Sequence, residues 1–140
     1  MKETIYIASD HAGFSLKNQI IESYNEFIDL GTNNEERVDY PDFAINLIEK
    51  INKNENSKGV LICGSGVGMS IAANRDNNIR AGLAFNSEVA GLIRKHNNAN
   101  VLVLPGRFMN IQEALKCINN FLNSKFEGGR HLNRINKINK

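Results

Sequence analysis

The sequence predicts an α/β fold in which a doubly wound parallel sheet of five strands lies between two layers of helices, a three-layer α/β/α arrangement. Three observations predict it. Short apolar runs of strand length alternate with longer stretches of helical period, which is the pattern of βαβ units. Two of those runs, Val60-Leu61-Ile62 and Val101-Leu102-Val103-Leu104, are continuously apolar, as strands covered on both faces are. The length of 140 residues is that of one domain, here residues 1–140 with 126–140 as its C-terminal tail.

The elements can be justified in chain order. The first strand, 4–9, contains Ile5-Tyr6-Ile7-Ala8 and is followed at once by Asp10-His11. The second is 27–30. Asp39 before Tyr40-Pro41 then supplies a cap and a proline in the first turn of a helix. The third strand, 59–63, runs into the glycine loop and a helix start over 69–74. The fourth strand, 80–85, precedes a helix over 87–95 that Ser87 caps and His96 closes. After the fifth strand, 100–104, Asn110 caps a helix in which Ile111, Ala114, Leu115, Ile118 and Leu122 draw one apolar stripe. Gly128-Gly129 breaks the chain, and 130–140 forms a short terminal helix.

Composition narrows the function classes. Lys and Arg number 17 against 15 acidic residues, so a net charge of +2 gives no broad field for nucleic acid or an anionic membrane. Any anion site must be local. No apolar run approaches the roughly 18 residues of a transmembrane helix, and no export signal is visible. The two cysteines make no disulfide framework or metal spacing, so free thiols and a cytoplasmic location are expected.

In an open parallel sheet, ligands bind outside the carboxyl ends of the strands. Those ends carry Ser9-Asp10-His11-Ala12-Gly13, Cys63-Gly64-Ser65-Gly66-Val67-Gly68 and Pro105-Gly106-Arg107. One rim thus gathers a carboxylate, an imidazole, a thiol, a glycine loop and a guanidinium. Alternating glycines let successive N–H groups turn toward one anion. Neither nucleotide fingerprint fits: a P-loop needs Lys-Ser/Thr where Met69-Ser70 stands, and the glycines are spaced G-x-G-x-G rather than G-x-G-x-x-G.

Each candidate also has a plain reading. A free cysteine is usually a small buried hydrophobe. Cys63 departs from that by its position, last in a strand and directly before an anion loop, where a base would stand. Cys117, inside the helix after the fifth strand, reads as structural. His11 stands beside Asp10 at a strand end; His96, at a helix C-terminus where a proton is held more readily, reads equally as a surface residue or a proton carrier. Arg130 and Arg134, four apart on one helical face, are either a solvated basic tail or a phosphate clamp.

Ser9-Asp10-His11-Ala12-Gly13, Asp39-Tyr40-Pro41, Cys63-Gly64-Ser65-Gly66-Val67-Gly68, His96-Asn97 and Gly128-Gly129-Arg130-His131 together resemble the type B ribose-5-phosphate isomerase family, which also includes galactose-6-phosphate isomerase subunits. The similarity runs from Ile5 to about Arg134. It implies a Rossmann-like homodimer, sometimes paired into a tetramer, with active sites at the subunit interface and neither metal nor organic cofactor. By the same resemblance Cys63 is the general base and His96 opens the furanose ring. Asp10 binds sugar hydroxyls, Asn97 contacts substrate, and Ser65 with the amides of Gly64, Gly66, Val67 and Gly68 stabilises the enediolate. His11, Arg107, Arg130 and Arg134 hold the phosphate end. One branch of the family has a glutamate after the glycine loop and no cysteine before it; Met69 and Cys63 place this chain in the cysteine branch. The implied reaction interconverts D-ribose 5-phosphate and D-ribulose 5-phosphate, in the non-oxidative pentose phosphate pathway. Allose or galactose 6-phosphate remains open as substrate, and a non-catalytic nucleotide-binding regulatory domain is the rival of a different class.

Overall fold

The structure, a computed structural model, describes residues 2–139. Five strands, β1 (Thr4–Ser9), β2 (Phe27–Asp29), β3 (Ser57–Cys63), β4 (Ala81–Leu83) and β5 (Val101–Pro105), form one sheet in the order β2-β1-β3-β5-β4. Every pairing is parallel. Six helices connect or follow them: α1 (Phe14–Ser23), α2 (Tyr40–Asn52), α3 (Val67–Ala73), α4 (Ser87–Asn97), α5 (Ile111–Asn123) and α6 (Arg130–Asn136).

Side chains alternate across each strand, and the sheet therefore has two buried faces. Val60, Ile62, Leu102 and Leu104 pack with Leu16 and Ile20 of α1, Ile93 of α4 and Ile118 and Phe121 of α5. Leu61, Cys63, Val101 and Val103 pack on the other side with Leu47, Ile48 and Ile51 of α2 and Met69 of α3. This is the expected three-layer arrangement, and it sends the Cys63 side chain to the α2/α3 face. No helix among the described residues is long and apolar enough to cross a membrane.

Several local expectations shift. Asn86, not Ser87, caps α4: its side-chain oxygen accepts from the Val89 N–H at 2.9 Å. Asn110 caps α5 as expected, accepting from the Glu113 N–H at 2.9 Å. Asp39 occupies the N-cap of α2, with Pro41 in the first turn, but makes no side-chain cap bond. The fourth strand is only Ala81–Leu83: after the Ala84 N–H bond to the Val103 carbonyl the chain turns away from β5, and Phe85 is 68% exposed. The helix after the glycine loop starts at Val67 rather than Met69. On α5 the fully buried residues are Ala114, Cys117, Ile118 and Phe121, so the apolar stripe is rotated toward Cys117 and away from Leu122. The terminal helix ends at Asn136; Lys140 lies outside the described residues.

Candidate active site

The ends of β1, β3 and β5 stand side by side, with Ser9 opposite Ile62 and Cys63 opposite Pro105. Backbone bonds then lace the following loops together. The Asp10 N–H donates to the Ile62 carbonyl at 3.2 Å, the Gly106 N–H to the Cys63 carbonyl at 2.8 Å, and the Arg107 N–H to the Gly64 carbonyl at 3.0 Å. Each is a backbone group that would otherwise be left without a partner at a strand end.

Side chains converge on the space these loops enclose, a cleft of about 420 Å³. Cys63 closes β3 with 5% exposure. Asp10 is buried, and its Oδ1 accepts from the Gly13 N–H at 3.0 Å, which leaves the second carboxylate oxygen for a ligand. His11 Nδ1 accepts from the Val38 N–H at 3.2 Å, so the neutral ring carries its proton on Nε2. The Ser65 hydroxyl accepts from the Val67 N–H at 3.3 Å and retains its own proton for donation. The Arg107 side chain lies over Gly64, with Nη1 3.3 Å from where a Cβ would sit. Gly64, Val67 and Gly68 complete the wall.

Gly66 behaves differently from the other loop glycines. It is buried behind the cleft, has φ +80°, and a Cβ there would come within 2.5 Å of Leu83 Cδ1. Its role is to turn the backbone, since an L-residue pays strain in that region. Met69 is fully buried beside Cys63 in the α2/α3 core, so no carboxylate occupies the position after the glycine loop.

The sequence assigns no role to three lining residues, Ala12, Tyr40 and Ile71. Tyr40 and Ile71 border the cleft, and the Tyr40 ring sits where a Cβ on Gly68 would be, at 2.5 Å. The Asp39-Tyr40-Pro41 string signalled Tyr40, but as a helix start. A slightly larger cleft of about 470 Å³, bordered by Glu3, Lys58, Arg80 and Arg94, contains no thiol or imidazole and offers no comparable chemistry.

His96, Asn97, Arg130 and Arg134 are not at this rim. His96 and Asn97 end α4, just before β5 begins, whereas Cys63 pairs with the last residue of β5. The five residues of β5 separate the two places by roughly 16 Å at ~3.3 Å per residue. The Glu127 N–H donates to the Lys95 carbonyl at 3.0 Å and thereby docks the tail on the end of α4. His131 then stacks on His96, with ring centroids 4.4 Å apart and planes 17° from parallel. Glu127 Oε1 lies 3.7 Å from His131 Nε2 and 3.9 Å from His96 Nε2. Burial, helped by His96, Arg130 and Arg134, holds the His131 imidazole below its ordinary range, against the pull of Glu127. Neither Arg130 nor Arg134 forms an ion pair among the described residues.

Cys117 is the contrast to Cys63. It is fully buried between α5 and the sheet, and burial with Glu113 nearby pushes its thiol up to about 12. It has neither the thiolate character nor the access that reactivity requires.

Known proteins are similar in both sequence and fold. The profile of the Ribose/Galactose Isomerase family matches residues 5–138. A probable ribose-5-phosphate isomerase B of Mycoplasma pneumoniae is 46% identical over 143 residues, covering 99% of this chain and 94% of that relative. The crystal structure of a ribose 5-phosphate isomerase from Thermotoga maritima superposes with a TM-score of 0.94 at 48% identity, covering 99% of each chain. Ribose-5-phosphate isomerase B of Mycoplasma genitalium, solved with bound ribulose-5-phosphate, gives 0.93 at 44% identity and covers 99% of this chain and 95% of that one. With a thiol, a carboxylate and a glycine loop on one rim of a five-stranded parallel sheet, and a profile match along nearly its whole length, this chain belongs to the ribose/galactose isomerase family.

Proposed function

We propose that this protein interconverts D-ribose 5-phosphate and D-ribulose 5-phosphate, with residues 1–140 acting as one isomerase domain and 126–140 carrying phosphate-binding arginines. The observation that carries the reading is Cys63, standing at the end of β3 on the wall of a cleft shared with Asp10, His11 and Arg107. Relatives named ribose-5-phosphate isomerase B support the substrate, one of them with ribulose-5-phosphate bound.

Moving a proton between carbons 2 and 1 of the open-chain sugar passes through a cis-enediolate. The Cys63 thiolate takes the proton from one carbon and returns it to the other, while Asp10 uses its free oxygen to hold a sugar hydroxyl. The Ser65 hydroxyl, held by the Val67 N–H, and the N–H groups of Gly64 and Gly68 face the developing oxyanion; losing one such donor typically costs about 2.7–4 kcal/mol of barrier. Gly66 shapes that loop from behind. His11 offers its Nε2–H and Arg107 its guanidinium to the phosphate end.

His96 opens the furanose ring, and Asn97, Arg130 and Arg134 bind the rest of the substrate. One copy cannot bring these to its own Cys63 across the sheet, which supports a homodimer whose active sites each take the Cys63 rim from one subunit and the His96 end from its partner. Exposed Val67, Ile71, Phe85 and Phe108 near the rim supply apolar surface for such an interface. Two such dimers pairing into a tetramer, and a cytoplasmic location suited to two free thiols, complete the reading.

The test is an isomerase assay without added metal on ribose 5-phosphate, allose 6-phosphate and galactose 6-phosphate. Turnover of ribose 5-phosphate with the highest kcat/KM is expected; a higher value for either hexose phosphate would reassign the substrate, and no turnover of any would overturn the isomerase reading.

A further inference from the structure

We propose that His96, Glu127 and His131 form a reversible site for a zinc-class divalent cation, whose occupancy takes His96 away from ring opening. The second half rests on the role proposed for His96; the binding itself does not.

Two imidazoles and one carboxylate present donor atoms that all lie within 4.8 Å of one another. Ligands of a tetrahedral zinc ion at ~2.0–2.2 Å stand about 3.3–3.6 Å apart. The separations of 3.7 and 3.9 Å from Glu127 Oε1 to the two Nε2 atoms are close to that spacing, and coordination by both imidazoles requires the partly exposed His96 ring to turn out of its stack so that the two lone pairs converge. The stacking places the two imidazoles side by side, within one ring's turn of a shared ion.

His131 supplies an independent observation. Its side chain is only 8% exposed, and its Nε2 is buried without any hydrogen-bond partner among the described residues. An orphaned buried nitrogen is costly unless something else satisfies it. Glu127 is near but beyond hydrogen-bond distance, and a cation bridging the two would occupy both. The His96 side chain, 38% exposed, opens the cluster to solvent and leaves a coordination position for water.

Donor softness selects the ion. Imidazole with a single carboxylate suits zinc and its transition-metal neighbours, whereas magnesium and calcium take oxygen ligands. Arg130 and Arg134 nearby oppose a cation, and Glu127 offsets them only in part. That balance fits reversible occupancy rather than a structural metal. Binding engages the His96 nitrogen lone pair, so that nitrogen can no longer accept or pass on a proton for the sugar.

The experiment titrates Co²⁺ into the metal-free full-length protein and follows its visible absorption, then measures Zn²⁺ inhibition of the isomerase with and without a chelator. One Co²⁺ per chain in a four-coordinate spectrum is expected, with affinity falling at least about 10- to 100-fold in both Glu127→Gln and His131→Gln, since losing even an outer-shell partner typically costs that much. Cys63→Ser should leave the cobalt spectrum unchanged, and Glu127→Gln should keep basal turnover while losing sensitivity to Zn²⁺. No absorption, a signal unmoved by both triad variants, or a signal lost in Cys63→Ser overturns the site. Cobalt bound through the triad with turnover undiminished overturns the silencing. An absence of turnover in the metal-free protein refutes the isomerase reading instead, and the cobalt spectrum still decides the site.

Discussion

The two ends of the sheet carry different parts of the proposed site and are held by different means. At the Cys63 end, three parallel strand ends are laced by backbone bonds from Asp10 to Ile62, Gly106 to Cys63 and Arg107 to Gly64. At the His96 end, the last turn of α4 is joined to the tail by one backbone bond from Glu127 to Lys95 and by a pair of stacked imidazoles. The first end is built into the sheet and is complete as a cleft within one chain. The second rests on side-chain contacts and leaves two arginines without ion pairs among the described residues. Proton transfer needs donors fixed before the charge develops, which the laced rim supplies. Holding a phosphate, the role proposed for the tail arginines, needs charge and reach.

The largest expected effect breaks the rim. Cys63→Ala should lower kcat by about 10²- to 10⁴-fold, the range for loss of a positioned base, while Cys117→Ala should leave kcat near its original value. Steady-state kinetics on both variants decides this, and equal activity in the two would remove Cys63 from the mechanism.

Joining the two ends across subunits is the next test. Cys63→Ala and His96→Asn chains, each nearly inactive alone, should recover about a quarter of full activity when co-expressed in equal amounts, because half the dimers then carry one intact site. Recovery no greater than the sum of the parents would place both residues in one chain's site or none.

A smaller effect separates the clamp from the base. Arg130→Ala or Arg134→Ala should raise KM for the sugar phosphate by about 10- to 100-fold, as expected for a charge-assisted hydrogen bond of ~1.5–3 kcal/mol. If kcat falls with KM unchanged, the arginines act on the transition state instead.

The smallest effect concerns stability at the His96 end. His131 is held below its ordinary value of 6.5, so the unfolded chain binds its proton more readily than the folded one. Its contribution is present in full above that value and is lost as pH falls from there through the lower folded value. Thermal melts should show Tm falling over this window, and His131→Gln should flatten the fall. An unchanged pH profile in that variant would mean that the imidazole protonates without regard to its neighbours His96, Arg130, Arg134 and Glu127.

Much of this was legible in the sequence, and its limits have physical causes. The continuous apolar runs around Leu61 and Leu102 marked central strands because a strand buried on both faces has no polar side. Asn110 was readable as a cap because capping is settled within three residues. Ser87 misled because Asn86 beside it is an equally good cap, and only the backbone conformation at Asn86, with φ −155° and ψ 167°, chooses between them. The fourth strand ends sooner than its composition suggests for a related reason: Phe85 is of a strand-forming type, but past the Ala84 N–H bond to the Val103 carbonyl the chain leaves β5 and the ring is exposed.

The site divides along the same line. The residue types at the ends of β1, β3 and β5 follow from the sequence, since a parallel sheet gathers its strand ends on one edge whatever the details of packing. That Asp10 keeps one oxygen free, that Met69 fills the core beside Cys63 and that Tyr40 forms a wall of the cleft are facts of tertiary packing. So are the stacking of His131 on His96 and the strand's length that keeps His96 from Cys63. By itself the sequence determined the order of the elements and which chemical groups stand at the strand ends, because periodicity, caps and turns are local properties of the chain. Only the tertiary structure decided which of those groups meet, because contacts between residues distant in sequence are set by how helices pack on a sheet, and no local pattern encodes that distance.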